Sequence, residues 1–146
     1  VTAAPGSTWL QTDATTDVKG WLRWIKATGT GNTGWVAGPE ADTGWRTVTM
    51  EVGVTGTLLL RRSGFQVFAN FQNVACTEDA ILYNLPVGFR RDSKVTAMYS
   101  PISSQPAVVV LGTTQLGAVG VWSSVRGLFV YTTDNNWPAS LPGTAA

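Results

Sequence analysis

Leu58–Phe71, with the sequence LLLRRSGFQVFANF, contains two runs rich in apolar residues, Leu58–Arg62 and Phe65–Phe71. Ser63 and Gly64 lie between them. In the second run, every other residue from Phe65 to Phe71 is apolar, and polar side chains take most of the positions between them. A period of two residues is typical of a half-buried β-strand, and the Ser63-Gly64 pair suits a tight two-residue loop. The stretch therefore predicts an antiparallel hairpin.

The same signals continue on both sides of this hairpin. Short apolar or alternating runs, which we predict to be strands, occur at Val48–Val54, Val95–Tyr99, Ala107–Leu111, Val119–Ser123 and Leu128–Thr133. We expect Ala107–Leu111 to be a central strand buried on both faces, and Arg126-Gly127 to lie near the bend between the last two strands. Short strands separated by glycine and proline turns favour an antiparallel arrangement. We predict an all-β fold with a jelly-roll-like antiparallel β-sandwich over residues 45–146.

Residues 1–44 differ from the remainder of the chain. The tripeptide Thr33-Gly34-Trp35 returns as Thr43-Gly44-Trp45, and the glycine-rich run from Gly29 to Gly34 predicts a hairpin loop. A strand over Lys19–Lys26 would carry apolar side chains on both faces, so both faces must be covered. A segment this short has no core of its own. We predict a β-rich linking region that packs against identical neighbouring chains.

Composition excludes several classes of function. The 146 residues have a net charge of +1, only 13% charged residues, no histidine and seven tryptophans. Without a basic footprint we expect no nucleic-acid partner. The longest apolar run is about five residues, against the roughly 20 that a membrane-spanning helix needs, so we expect no membrane segment. The chain does not begin with methionine, and we expect it to be a processed chain or a piece of a longer one. We predict that Cys76 is a small buried apolar residue.

Catalytic and metal sites have little support in the sequence. Histidine-dependent nucleophiles are absent, and the nine Asp and Glu residues show no spacing diagnostic of a glycosidase. Asp134–Asn136 and Asp13–Asp17 are rich in oxygen ligands, but neither has the spacing of a calcium loop. We therefore predict no enzymatic activity, no metal and no cofactor, and interpret these clusters as turns.

A set of short motifs resembles the C-terminal receptor-binding region of tailed-bacteriophage fibre and baseplate proteins. In chain order the motifs are Trp24-Ile25-Lys26-Ala27-Thr28, Asn32-Thr33-Gly34-Trp35-Val36, Asp42-Thr43-Gly44-Trp45-Arg46, Leu85-Pro86-Val87-Gly88-Phe89-Arg90, Tyr131-Thr132-Thr133-Asp134 and Trp137-Pro138-Ala139-Ser140-Leu141-Pro142-Gly143. Together they span most of the chain.

The resemblance implies a short linking region, a β-sandwich head, a homotrimer and attachment to saccharide on the host surface. It further implies an extracellular location at the tail tip of the virion, and a connection to the rest of the tail through the N-terminal side. On this basis we assign Trp21, Trp24, Trp35 and Trp45 to the trimer axis and the linking region. The expected partners are two further copies of the chain and bacterial cell-wall polysaccharide.

The candidate saccharide site lies near the C-terminus. Sugar sites combine an aromatic ring under the apolar side of the sugar with planar polar groups that bind its hydroxyls. The residues that offer these groups are Trp122, Arg126, Asp134, Asn135, Asn136 and Trp137. Each tryptophan taken alone is also compatible with the core or a subunit contact, and we expect Trp137 and Leu141 to anchor an ordered tail.

Two arginine pairs keep an anionic ligand open as an alternative. Arg61-Arg62 and Arg90-Arg91 could bind an acidic or phosphorylated wall polymer, because Arg matches phosphate geometry. The simpler interpretation is one solvated and one ion-paired arginine in each pair, with Asp92 or Glu51 as the partner. The leading hypothesis is thus non-catalytic host attachment. The alternatives are a structural tail component whose sandwich serves only assembly and, third, a polysaccharide depolymerase.

Overall fold

A computed structural model of the chain describes residues 3–11, 22–38, 41–91, 95–99, 107–135, 137–138 and 140–146. The strands in these ranges are β1 (Thr8–Gln11), β2 (Leu22–Lys26), β3 (Trp35–Ala37), β4 (Arg46–Val48), β5 (Thr55–Ser63), β6 (Gln66–Cys76), β7 (Ala80–Asn84), β8 (Val95–Tyr99), β9 (Ala107–Leu111), β10 (Gln115–Val119), β11 (Trp122–Thr132) and β12 (Thr144–Ala145). The described ranges contain no helix, and hence none long and apolar enough to cross a membrane.

The strands form three sheets, and every strand pair is antiparallel. The sheet orders are β1-β2-β3, β7-β10-β9-β8 and β11-β6-β5-β4-β12. One hydrophobic cluster contains Leu58 and Phe71 of the five-stranded sheet together with Val109 and Leu116 of the four-stranded sheet. The all-β class is confirmed, and the arrangement is consistent with a β-sandwich that has its core between the two larger sheets.

The hairpin predicted from Leu58–Phe71 is present, with its turn shifted by one residue. Ser63 pairs with Gln66, so the two loop residues are Gly64 and Phe65, and Gly64 takes a φ of 56°. A positive φ favours glycine, which explains why the turn forms there. Phe65, which alternation assigned to the buried face, is consequently 63% exposed.

Two other strand predictions were wrong. Val48–Val54 is not one strand, because β4 ends at Val48 and the chain turns at Val52-Gly53, where Gly53 has a φ of 87°. Val119–Ser123 and Leu128–Thr133 are not separate strands either. A single strand, β11, runs from Trp122 to Thr132. In place of the expected bend, its pairing with β6 shifts in register on both sides of Val125.

β9 is internal to the four-stranded sheet, as predicted for Ala107–Leu111. Its burial is less complete than expected. Val109 and Leu111 are fully buried, whereas Val108 and Val110 are half-buried. Only one face of β9 therefore points into the core.

The N-terminal sheet contains the hairpin predicted around Gly29–Gly34, because β2 and β3 pair across that loop. Its third strand, β1, had no counterpart among the predicted strands. Contacts with the sandwich begin before the predicted boundary between residues 44 and 45. Ala41 and Thr43 are buried, and Asp42 forms an isolated bridge to Ser63 of β5.

The C-terminal tail is ordered, which confirms that prediction. β12 pairs with β4, and the buried Arg46 side chain donates to the Pro142 carbonyl at 3.1 Å and to the Gly143 carbonyl at 3.0 Å. Trp137 and Leu141, the two predicted anchors, are both half-buried. The tail thereby holds the edge of the five-stranded sheet.

Candidate functional site

The predicted saccharide-site residues lie at opposite ends of β11. Trp122 and Arg126 are in its first half, whereas Asp134, Asn135 and Trp137 follow its last residue. At about 3.3 Å per residue, roughly 20 Å of strand separates Arg126 from the end of β11. Asn136 lies outside the described residues. The five described residues therefore do not converge on one site.

Trp122 belongs to the core. Its side chain is 2% exposed, its ring meets Phe71 edge to face at 5.8 Å, and its Nε1 donates to the Val119 carbonyl at 3.3 Å. A ring enclosed in this way has no face to offer a sugar, so the predicted ligand-binding role of Trp122 is wrong. Arg126 is exposed at the same end of the strand, where its Nε donates to the side-chain oxygen of Asn73.

Residues 133–135 and 137, the described residues that follow β11, make up what we call the tail loop, and several hydrogen bonds hold it. The Thr133 amide donates to the Phe65 carbonyl at 2.8 Å, and the Thr133 hydroxyl donates to the Arg90 carbonyl. The Asn135 amide donates to the Thr133 hydroxyl at 3.2 Å, while the Asn135 side-chain oxygen accepts from the Gly88 amide at 3.3 Å. These bonds join the tail loop to two other turns.

Arg62 supports the tail loop from beneath. Its guanidinium donates to the Gly64 carbonyl at 2.9 Å, to the Asn135 carbonyl at 2.9 Å and to the Gly88 carbonyl. It also lies over the Trp137 ring, 5.0 Å from the ring centroid. Burial lowers the pKa of Arg62 below its ordinary value. One buried side chain thus ties three turns together and orients an aromatic ring.

Two clefts open on either side of the tail loop. The tail cleft, of about 220 Å³, is lined by Val36, Ala37, Gly38, Arg62, Gly64, Phe65, Asp134, Asn135 and Trp137. The arginine cleft, of about 590 Å³, is lined by Val87, Arg90, Arg91, Thr113, Thr114, Asp134 and Asn135. Asp134 and Asn135 line both clefts, so the tail loop forms the ridge between them.

The side chains around this ridge suit the two sides of a sugar. Phe65 and the half-buried Trp137 supply aromatic surface in the tail cleft. The Asp134 carboxylate is exposed, and no hydrogen bond or ion pair joins it to another described residue. In the arginine cleft, Arg90 donates its Nε to the Leu85 carbonyl at 2.7 Å, which holds the side chain at the cleft wall.

The tail cleft contains Asp134, Asn135 and Trp137, which the sequence predicted as candidate site residues, and also Phe65, which it did not. Alternation alone assigned Phe65 to the buried face. The signal that could have found it is the adjacent Gly64, because a loop made of Gly64 and Phe65 exposes the aromatic ring.

The two arginines of the first pair have different environments. Arg61 forms an ion pair with Asp42 and not with the predicted Glu51, while Asp92, the other predicted partner, lies outside the described residues. Burial opposes ionisation of Asp42, but hydrogen bonds from Arg61 and from the Gly44 amide outweigh it and lower the pKa of the carboxyl. Arg61 is the ion-paired member of the pair, whereas Arg62 is buried and is not the solvated arginine that the simpler interpretation predicted.

The described tryptophans that were assigned to the trimer axis and linking region lie in two different sheets or their neighbouring segments. Trp24 and Trp35 lie in the N-terminal sheet, Trp21 lies outside the described residues, and Trp45 packs edge to face on Phe68 at 6.4 Å. Arg61 covers the Trp45 ring, with its guanidinium carbon 5.9 Å from the centroid. Trp45 is thus engaged within its own chain.

Metal-binding chemistry has no visible support in the part of the chain that the structure describes. No group of three or more His, Cys, Asp or Glu side chains comes together there. Cys76 is buried, as predicted, and burial raises the pKa of its thiol. A raised thiol pKa lowers the fraction of reactive thiolate at neutral pH.

Comparisons with known proteins identify no relative. No protein-family model matches the chain, and neither a curated protein nor a solved structure is significantly similar to it.

Proposed function

We propose that this chain is a receptor-binding module of a tailed-phage tail that attaches the virion to host-surface saccharide without catalysis. The phage context comes from the resemblance of the sequence motifs. The observation that supports saccharide binding is the anchored tail loop, which holds the exposed Asp134 carboxylate beside the exposed ring of Phe65 and the half-buried ring of Trp137.

This arrangement fits the chemistry of sugar recognition. A pyranose ring has an apolar C–H side that packs on aromatic rings and hydroxyls that need hydrogen-bond partners. Ligand sites in general combine such apolar walls with a few fixed polar groups. The hydrogen bonds of Arg62 and Asn135 fix the tail loop before binding, which reduces the ordering cost of recognition.

The two clefts favour a polymer over a single sugar. Because the ridge is shared, a chain of several sugar units could contact Phe65 and Trp137 on one side and Arg90 and Thr114 on the other. The arginine cleft would also accept an acidic substituent, since a guanidinium binds carboxylate or phosphate in a bidentate manner. Bacterial wall polysaccharide has both kinds of group.

The homotrimer and the jelly-roll-like form of the head are part of the proposal. The outer face of the five-stranded sheet supports association of subunits, because Leu128 and Val130 are exposed there and Val130 pairs with Phe68 of β6. Apolar side chains in adjacent positions on an exposed sheet face are typical of an interface. Three identical sites facing a repeating polymer would raise the effective affinity by roughly 10²–10⁴ through avidity.

The same face favours the second candidate function, a structural tail component whose sandwich serves only assembly. An exposed apolar sheet could pack against another tail protein as well as against a second copy of this chain. The two functions differ in one respect, since only the first requires that the clefts bind saccharide.

The test uses the purified chain on an array of bacterial surface polysaccharides, with each variant also examined by thermal melting. Asp134→Ala and Phe65→Ala should reduce binding while the melting temperature stays within a few degrees, because both side chains are exposed. Glu78→Ala is the charge-matched control, since Glu78 is an exposed carboxylate distant in sequence from the tail loop. It should bind like the unmodified chain.

Four outcomes would contradict the proposal. Absence of binding to every polysaccharide favours the structural component, and release of reducing ends favours a depolymerase. Equal binding by the Asp134, Phe65 and Glu78 variants would remove the tail loop from the site. If Arg90→Ala is the only variant that loses binding, the site is the arginine cleft and its ligand is anionic.

A further inference from the structure

The N-terminal sheet carries three tryptophans on one face. In the register of the sheet, Trp9 of β1 is opposite Trp24 of β2, and Trp35 of β3 is opposite Lys26. Directly paired residues, and residues two apart on one strand, point to the same side of a sheet. The opposite side of β1 carries the aliphatic Leu10.

Lys26 holds this aromatic face in place. Its buried ammonium group donates to the Gly31 carbonyl at 2.7 Å and to the Thr33 carbonyl, and lies 5.4 Å from the centroid of the Trp35 ring. Gly34 has a φ of 76°, and a Cβ at that position would lie 2.2 Å from the Thr28 carbonyl oxygen. The Lys26 hydrogen bonds and the close packing at Gly34 therefore stabilise the hairpin loop, and Trp35 is the residue that follows this loop in the chain.

The three rings line an open cleft of about 480 Å³, which we call the tryptophan cleft. The Trp9 ring is 54% exposed and meets the Trp35 ring at 66° with centroids 6.5 Å apart, so the two rings form a trough and are not stacked on each other. The polar groups of the lining are the Ser7 and Thr8 hydroxyls and the Asn32 amide. The volume lies within the range of about 300–1,000 Å³ that is usual for ligand sites.

The chemistry of the lining selects the class of ligand. None of the described residues lining the cleft is ionisable, and the nearby Lys26 ammonium is already bound to backbone carbonyls. Binding of a nucleic acid or an acidic polymer needs cationic partners, so these ligands do not match an uncharged cleft. Hydroxyl and amide groups beside aromatic rings match a neutral sugar, which presents C–H groups on one side and hydroxyls at its edge.

We propose that the tryptophan cleft is a second binding site, independent of the tail loop, and that it takes a neutral oligosaccharide. The site does not rest on the saccharide-binding role of Asp134, because the two sets of residues share no member. On a bacterial wall, where the polysaccharide has many repeating units, a second site on the same chain would bind a further part of the polymer and add to the avidity.

The test is titration calorimetry of the full chain with three neutral probes, namely cellotetraose, maltotetraose and the tetramer of N-acetylglucosamine. At least one probe should bind, and Trp9→Ala should weaken its affinity by about tenfold or more. Leu10→Ala is the matched control, because Leu10 is the next residue of β1, is 44% exposed and lies on the opposite face. Leu10→Ala should leave the affinity unchanged.

Absence of binding of all three probes at millimolar concentration would overturn the proposal. So would equal affinities for the Trp9 and Leu10 variants, or loss of probe binding in Asp134→Ala, which would assign the probe to the tail loop. Light scattering, which measures the molar mass in solution, is a further test. If Trp9→Ala lowers the molar mass in solution while Leu10→Ala does not, the tryptophan cleft is a contact between copies of the chain and the saccharide proposal is wrong.

Discussion

Replacing Arg62 with alanine should destabilise the chain far more than replacing Arg61. From a buried position, the Arg62 side chain donates hydrogen bonds to three carbonyls of the described residues, those of Gly64, Gly88 and Asn135. Each hydrogen bond to a charged group is worth about 1.5–3 kcal/mol, but water would reach some of the released carbonyls. We expect Arg62→Ala to lower the free energy of unfolding by about 3–5 kcal/mol.

The neighbouring arginine provides the control. Arg61 makes an ion pair with Asp42 at the surface, and exposed pairs of this kind contribute about 0–1 kcal/mol. Arg61→Ala removes the same side chain one position away in β5. In a domain of this size, 1 kcal/mol corresponds to about 3–4 °C in melting temperature. Arg62→Ala should therefore melt roughly 9–20 °C lower, and Arg61→Ala no more than about 4 °C lower.

Urea denaturation followed by tryptophan fluorescence and circular dichroism measures both variants. Arg62→Lys belongs in the series, because lysine keeps the charge but cannot reach three carbonyls with one planar group. It should recover less than half of the lost stability. A loss below about 1 kcal/mol for Arg62→Ala, or equal losses for the two alanine variants, would refute the role of Arg62 as the support of the tail loop.

Two further predictions concern the core and the response to pH. Trp122→Ala should lower the free energy of unfolding by about 3–5 kcal/mol in urea denaturation, because it leaves a cavity against Phe71; a loss under about 1 kcal/mol would mean that the ring is not enclosed. In a pH series of thermal melts, stability should be flat between about pH 5 and 8, since the chain has no histidine. Stability should fall in acid, because the lowered pKa of Asp42 makes the folded chain bind fewer protons than the unfolded chain. Protonation of that carboxyl as pH drops below its ordinary pKa of 3.8 removes this contribution to stability. It should also fall in alkali, because burial raises the pKa of Tyr131, so that above the ordinary value of 10.0 the unfolded chain loses this proton first. A transition between pH 6 and 8 would contradict the predicted flat range.

Local patterns in the sequence were sufficient to predict the class of fold. The alternation around Val67 predicts a strand with one buried face, and β6 has that pattern of burial. The burial of Cys76 and the ordered tail that ends in β12 also agree with the predictions. These features depend on neighbouring residues and on the apolar surface that each strand must bury, and both can be inferred from the amino-acid order.

The candidate site depended on contacts that no local pattern contains. Arg62 and Asn135 are far apart in the chain, and their hydrogen bond exists only because the hairpin and the tail loop meet in the folded molecule. Adjacent residues of a strand point to opposite faces, so the pair Arg61-Arg62 must divide between surface and interior, but only the packing of the sheets decides which arginine is inside. Tryptophan poses the same problem, since Trp122 and Trp137 are chemically identical and only tertiary packing encloses one ring and leaves the other beside a cleft.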